Sequence, residues 1–198
     1  PFGDVALDLN LTGLFNVYNT LAACTACLAA GVGLSDLKAG LEKVTGVPGR
    51  FELVDMGQDF AVIVDYAHTP DSLANVLRTA RSFADNRVIA VFGAGGDRDR
   101  AKRPLMGKVA AELSDYVILT ADNPRSEDPV RICHEIEQGM LPVLAQKTSL
   151  KYVIEPSRSK AIEKAIRMAK AGDVVVFAGK GHETYQIFKD ETIHFDDA

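Results

Sequence analysis

Cysteine is scarce in this sequence. The three that occur, Cys24, Cys27 and Cys133, are odd in number and form no regular framework, which excludes a disulfide scaffold and fits a reducing compartment. Cys24 and Cys27 make a Cys-x-x-Cys, but within an alanine-rich helical pattern and with no second ligand pair, so they read as structural rather than as a metal site. Cys133 reads the same way. A basic excess is also lacking: 22 lysines and arginines stand against 27 acidic residues, a net charge of -5, which argues against nucleic acid as a partner. No apolar run is long enough to span a bilayer, and the amino terminus has no basic segment leading into an apolar one. These absences predict a cytoplasmic chain without membrane insertion. What is present is a hydrophobic content of 47% over 198 residues, enough for one good core and a small appendage.

Helical patterning runs from about Asn16 to Ala30, stopped by Gly31, and again from Ser35 to about Val44. Thr45-Gly-Val-Pro-Gly49 breaks the pattern, and beyond it short β-branched runs alternate with helical stretches. A boundary is therefore placed between residues 1-46 and residues 47-198. The strand candidates are Phe51 to Asp55, Ala61 to Asp65, Arg87 to Phe92, Tyr116 to Thr120, Lys151 to Ile154 and Asp173 to Ala178. Thr69-Pro70 and Asp128-Pro129 each set a capping side chain before a proline at the first helical position. Tyr185 to Phe188 and Thr192 to Phe195, around Lys189-Asp-Glu191, read as a hairpin. The alternation predicts an α/β fold: a Rossmann-like, mainly parallel sheet with helices on both faces and a carboxyl-terminal hairpin.

In open parallel sheets ligands bind beyond the carboxyl ends of the strands, and the unusual sequences fall at those places. Asp65-Tyr-Ala-His-Thr-Pro70, Gly93-Ala-Gly-Gly-Asp-Arg-Asp-Arg100, Asp122-Asn-Pro-Arg125 and Gly179-Lys-Gly-His-Glu183 each follow a strand. The Gly93 loop suits an anion, because glycine lets backbone donors approach and arginine offers a fork of donors; a turn with solvated charges fits it equally well. It matches neither a phosphate-binding loop nor a dinucleotide fingerprint, which counts against a dinucleotide-binding protein. The Asp122 loop combines an acceptor, a two-way amide and a bidentate cation, and suits a zwitterion: arginine for its carboxylate, Asp and Asn oxygens for its ammonium. An ordinary turn is the alternative. His68 and His182 lie in such loops and are either solvated or base- or phosphate-contacting; His134 and His194 read as structural.

Taken together and in order, these loops resemble the Mur ligase family, within it the branch that extends UDP-MurNAc-L-Ala-D-Glu at the third position of the stem peptide. The run Gly13-Leu-Phe-Asn-Val-Tyr-Asn19 resembles the end of that family's central ATPase domain, so residues 1-46 would be its helical remnant. Val47-Pro-Gly-Arg-Phe-Glu52 resembles the start of the carboxyl-terminal domain. The resemblance implies an ATP- and magnesium-dependent amide synthesis for peptidoglycan, in which the D-glutamate γ-carboxylate is phosphorylated and then attacked by an amine. It implies that Asp122, Asn123, Pro124 and Arg125 recognise meso-diaminopimelate, with Arg98, Gly179 and Glu183 completing the pocket. Arg125 and Arg98 would hold the far carboxylate and Glu183 the far ammonium. Asn16, Asn19, Arg50, Asp65 and His68 resemble the positions that contact ATP, and no residue resembles a catalytic base.

The family's Gly-x-x-x-x-Gly-Lys-Ser/Thr loop does not occur in the sequence, nor does the region expected to supply magnesium ligands, nor the UDP-sugar-binding domain. The expectation is a piece of a longer ligase, truncated at both ends and inactive alone, whose partners are its missing domains and its small-molecule substrates. A lysine-adding relative is disfavoured by Arg125, and a cyanophycin-synthetase-like ligase by the Asp122 and Gly179 loops. A standalone amino-acid-binding module is disfavoured by Asn16 and Asn19.

Overall fold

The computed structural model describes residues 3–198. The chain divides into two compact units, Pro1–Val47 and Pro48–Ala198. In the first, α1 (Leu14–Ala29) and α2 (Leu34–Leu41) are joined through Gly31 at φ 89°. There the Val32 amide donates back to Cys27 O, a left-handed glycine cap that ends α1. Helix α2 stops short of the expected Val44. The amides of Lys43 and Val44 reach back only three residues, to Gly40 O and Leu41 O, so the last turn tightens out of α-geometry.

The second unit holds β1 (Glu52–Leu53), β2 (Ala61–Asp65), α3 (Pro70–Arg81), β3 (Val88–Phe92), α4 (Lys102–Leu113), β4 (Tyr116–Leu119), α5 (Pro129–Leu144), β5 (Lys151–Ile154), α6 (Arg158–Met168), β6 (Val174–Ala178), β7 (Tyr185–Ile187) and β8 (Thr192–His194). Six strands form one sheet in the order β1-β2-β6-β3-β4-β5, all parallel except β1, and β7 with β8 forms a separate hairpin. The central runs, VIAVF and VVVFA, are buried along their whole length, as a parallel sheet covered on both faces requires. Val62, Val64, Ile89, Val91, Ile118, Val175 and Phe177 pack with Ala161 and Ala165 of α6 on one face. Their alternates Ile63, Ala90, Leu119 and Val176 are equally buried; α3, α4 and α5 contact this sheet, and α4 packs against both α3 and α5.

Two helix starts follow directly from their sequences. Thr69 Oγ1 accepts from the Ser72 amide ahead of Pro70, and the Asp128 carboxylate accepts from the Val130 and Arg131 amides ahead of Pro129. One strand is shorter than the sequence predicts. Phe51 sits at φ 49°, outside any strand conformation, so the strand begins at Glu52, and β1 keeps two of its five expected residues. Helices α4 and α5 meet backbone to backbone through glycines: a Cβ on Gly107 would lie 2.0 Å from Ile136 O, and one on Gly139 1.7 Å from Pro104 O.

Candidate functional site

Because β2, β6, β3 and β4 are consecutive in the sheet, the loops that follow them line one edge. Across that edge come the Asp65–Thr69 turn, the Gly179–Glu183 loop, the Gly93–Arg100 loop and the Asp122–Arg125 loop.

The Asp122–Arg125 loop is rigidly built. Asp122 and Asn123 are buried; the Asp122 carboxylate accepts from the Asn123 amide at 2.7 Å. A side chain on Gly179, at φ 114°, would strike that carboxylate, since a Cβ would lie 2.6 Å from Oδ2. The hairpin braces the loop from its side: Gln186 Nε2 donates to Asp122 O at 2.7 Å, the Ile187 amide to Asn123 Oδ1 at 3.0 Å, and the Arg125 amide to Ile187 O at 3.0 Å. Arg125 itself is at φ 52°, a left-handed conformation that costs a side-chain-bearing residue energy and marks an imposed geometry. Its Nη1 donates to Gly96 O at 2.9 Å.

The Asn123 side chain has little left to offer a ligand. Oδ1 accepts from Ile187 N and, at 3.3 Å, from Lys180 Nζ, while Nδ2 donates to Glu183 Oε2 at 2.9 Å. This amide organises the pocket rather than reaching into it, which narrows the ammonium-accepting role read from the sequence. Glu183 Oε2 also accepts from Lys180 Nζ at 3.3 Å, so Oε1 is the oxygen of Glu183 with no hydrogen-bond partner among the described residues. Lys180 is fully buried and, with Gln186, is a site residue that the sequence reading missed. Its position between Gly179 and Gly181, both at positive φ, was the available signal.

Arg98 and Arg125 both approach Gly95: a Cβ there would lie 3.0 Å from Arg125 Nη1 and 3.6 Å from Arg98 Cγ. Arg98 is exposed, and the hydrogen bond its guanidinium makes is to Asp97 O at 3.2 Å. Below them lies Arg103, fully buried, donating to both oxygens of Glu127 at 2.9 and 2.8 Å, to Glu135 at 2.6 Å and to Gly95 O at 3.1 Å. The Arg103 guanidinium, aided by the Asp97 amide, outweighs burial and holds the Glu127 carboxyl at about 2. A folded value below the unfolded one of about 4.3 makes the pair stabilising above the unfolded value, and that contribution is lost as pH falls toward 2. Glu127→Gln is therefore expected to flatten the fall in denaturant stability between about pH 4.5 and 2; an unchanged slope would remove Glu127 from the acid response.

The residues that resemble nucleotide contacts are arranged as follows. In the first unit Asn16 is buried, its Nδ2 donating to Thr12 O at 2.8 Å and its Oδ1 accepting from Asn19 Nδ2 at 3.3 Å. In the second, the Arg50 guanidinium lies 4.5 Å over the Tyr66 ring, which also meets the His68 ring at 4.6 Å and the His182 ring at 5.4 Å. Gly49 at φ 67° permits this closeness, since a Cβ would lie 2.0 Å from His182 N. Asp65 is committed on both oxygens, to the Phe51 amide at 2.7 Å and the Ala67 amide at 2.8 Å. Burial pushes its carboxyl up, against those two amides and Arg50; each oxygen keeps a lone pair for a hydroxyl. Lys102 Nζ donates to His68 O at 2.8 Å, joining this cluster to the Gly93–Arg100 side. Among the described residues no group of three or more His, Cys, Asp or Glu could hold a metal ion. No helix of the described chain is long and apolar enough to cross a membrane.

Fold and site together define an open α/β domain whose loops gather paired arginines, a buried lysine and carboxylates on one sheet edge, suited to a small zwitterion beside an aromatic and cationic cluster. The model for the family described as "Mur ligase, glutamate ligase domain" matches residues 49–181, more than half of the chain; the chain belongs to the Mur ligase family. It is 54% identical over 198 residues to the UDP-N-acetylmuramoyl-L-alanyl-D-glutamate--2,6-diaminopimelate ligase of Syntrophomonas wolfei, covering 99% of this chain and 40% of that protein. It is 54% identical over 197 residues to the ligase of the same name from Geobacillus thermodenitrificans, covering 100% of this chain and 39% of that protein. A solved structure of a ligase of that name superposes with a TM-score of 0.72 at 42% identity, over 98% of this chain and 39% of the other. The chain thus spans about 40% of the length of the curated relatives it matches.

Proposed function

We propose that this chain is the carboxyl-terminal part of an ATP-dependent ligase that joins meso-diaminopimelate to UDP-N-acetylmuramoyl-L-alanyl-D-glutamate in peptidoglycan synthesis, with residues 1-46 the end of its ATPase domain. The observation that carries the reading is that Arg98 and Arg125 both approach Gly95, with the Oε1 of Glu183 on the neighbouring loop left without a hydrogen-bond partner among the described residues. Two cations and an ammonium acceptor match the amino-acid end of diaminopimelate that does not react, and lysine has no carboxylate there. Asp122 and Gly179 shape the floor, and Asn123 and Pro124 fix the loop.

ATP would supply the phosphoryl group that activates the acceptor carboxylate. This chain's residues would orient the incoming amine and part of the nucleotide: Tyr66, His68, His182 and Arg50 offer a stacking and cationic face, and Asp65 a hydroxyl acceptor; Asn16 and Asn19 are the positions of the first unit that resemble nucleotide contacts. Positioning of this kind supplies a large part of the rate in reactions that join two bound substrates. Full activity would require the family's phosphate-binding loop, so this chain alone is expected to turn over no ATP.

The direct test is an NMR titration of the chain with meso-diaminopimelate and with L-lysine. Shifts at the Arg98, Arg125 and Glu183 loops with diaminopimelate and none with lysine support the reading. Equal response to both, at those loops, would favour a lysine-adding relative, and ATP turnover by the chain alone would remove the expectation of dependence on further domains.

A further inference from the structure

The Gly93–Arg100 and Asp122–Arg125 loops follow neighbouring strands but have no regular structure to keep them in step. They are laced together instead. The Gly96 amide donates to Asn123 O at 2.9 Å, Arg125 Nη1 to Gly96 O at 2.9 Å, and the Asp97 carboxylate accepts from the Ser126 amide at 3.2 Å and its hydroxyl at 2.6 Å. The lacing is close enough that a Cβ on Gly96 would lie 1.8 Å from Pro124 O. Each loop also carries one side-chain-bearing residue in the left-handed region, Asp97 at φ 54° and Arg125 at φ 52°. Two such residues facing each other persist only where the surroundings over-determine them.

One ion pair adds to this lacing. Glu127 Oε1 accepts from the Asp97 amide at 2.7 Å and from Arg103 Nη2 at 2.8 Å, and the same Nη2 holds Gly95 O at 3.1 Å. Arg103 therefore grips the first loop at Gly95, and Glu127 grips it at Asp97 from a position two residues after Arg125. Arg103 is itself anchored to Glu135 of α5, which also pairs with Arg100. Arg98 and Arg125 belong to the two loops that these contacts join.

We propose that Arg103 and Glu127 are positioning residues for amino-acid specificity: a clamp beneath the pocket that sets the spacing of Arg98 and Arg125 so that one carboxylate meets both. The proposal rests on the reading given under Proposed function. It makes the far-carboxylate preference a property of two loops held in register, and predicts that the preference is lost without touching either guanidinium.

The test uses the intact ligase that contains this chain, as wild type, Glu127→Ala and Glu127→Gln, with steady-state kinetics on meso-diaminopimelate, L-lysine and ATP. Glu127 is chosen because Arg103 is fully buried and also holds Glu135 and Gly95 O, so replacing it would disturb packing beyond the two loops. Glu127→Ala is expected to raise the KM for diaminopimelate roughly tenfold or more, since displacement by about 1 Å can cost on the order of 100-fold. The KM for ATP should stay within about twofold and the diaminopimelate-to-lysine preference should fall roughly in step with the KM. Glu127→Gln keeps one oxygen for the Asp97 amide and should recover most of the preference. An unchanged preference, with kcat falling alike for both amino acids or with no change at all, overturns the clamp. A wild type that does not prefer diaminopimelate overturns the substrate reading instead. The clamp is then decided without ligand, by whether Glu127→Ala shifts the Gly96, Asp97 and Arg125 amides of this chain in NMR while leaving those of Tyr66 and His182 in place; unmoved Asp97 and Arg125 amides would sink it.

Discussion

Replacing Asp197 with alanine is expected to destabilise the second unit by about 3–5 kcal/mol, the usual consequence of leaving a buried charge without its partner. Arg158 and Asp197 are both inaccessible, joined at 2.7 Å through Nε and 2.5 Å through Nη2. The arginine has no alternative partner of opposite charge in hydrogen-bond reach among the described residues. Its remaining donors go to backbone carbonyls, Nη1 to Ala121 O at 3.3 Å and Nη2 to Ala178 O at 3.2 Å. Those carbonyls immediately precede Asp122 and Gly179, so an uncompensated Arg158 would pull on the floor of the pocket as well as on stability. The pair need not be strongly stabilising relative to apolar residues of similar size, because desolvation offsets most of its attraction. Arg158→Met combined with Asp197→Leu is accordingly expected to recover most of the loss. Chemical denaturation decides it: a lowered midpoint at unchanged slope for Asp197→Ala, largely restored in the double variant. A cost below about 1 kcal/mol would mean that water reaches the arginine when the aspartate is gone.

The contrast between what the sequence makes legible and what it hides follows from the range of each interaction. Five of the strands and the starts of α3 and α5 are local matters of β-branched runs and Thr-Pro or Asp-Pro caps, and their bounds fall within about two residues of expectation. The gathering of four polar loops on one edge was legible too, because parallel topology fixes which strand ends share a side. Phe51 reads as strand in the sequence, and its amide instead donates to the Asp65 carboxylate 14 positions away, a contact that no local pattern announces. Arg103, Arg158 and Lys180 were passed over because long cations are surface residues by default; each is buried against partners that only the tertiary fold supplies. Gly107 and Gly139 lie inside helical patterns, where glycine reads as a mild defect, and only the crossing of α4 on α5 explains them. Arg125 was singled out for its charge, but nothing in the sequence indicated its backbone.

That backbone separates two roles of Arg125 in a single experiment. At φ 52° a side chain costs roughly 1–2 kcal/mol, and glycine does not pay it, although glycine costs more on folding through the entropy of the unfolded chain. Arg125→Gly is therefore expected to be more stable than Arg125→Ala by about 0.5–1 kcal/mol. Both variants lose the guanidinium, so both are expected to weaken meso-diaminopimelate binding by roughly 10- to 100-fold or more, the range for hydrogen bonds to charged groups of about 1.5–3 kcal/mol. Neither should bind L-lysine more weakly than wild type, and the discrimination between the two amino acids should shrink accordingly. Isothermal titration with both amino acids, beside thermal unfolding of the three proteins, reads out all of this. If Arg125→Gly kept wild-type affinity for diaminopimelate, the carboxylate would be held elsewhere and the specificity assignment would fall. If alanine proved as stable as glycine, the left-handed geometry would carry no strain, and the loop would hold Arg125 in place by hydrogen bonding alone, chiefly through its amide on Ile187 and its guanidinium on Gly96.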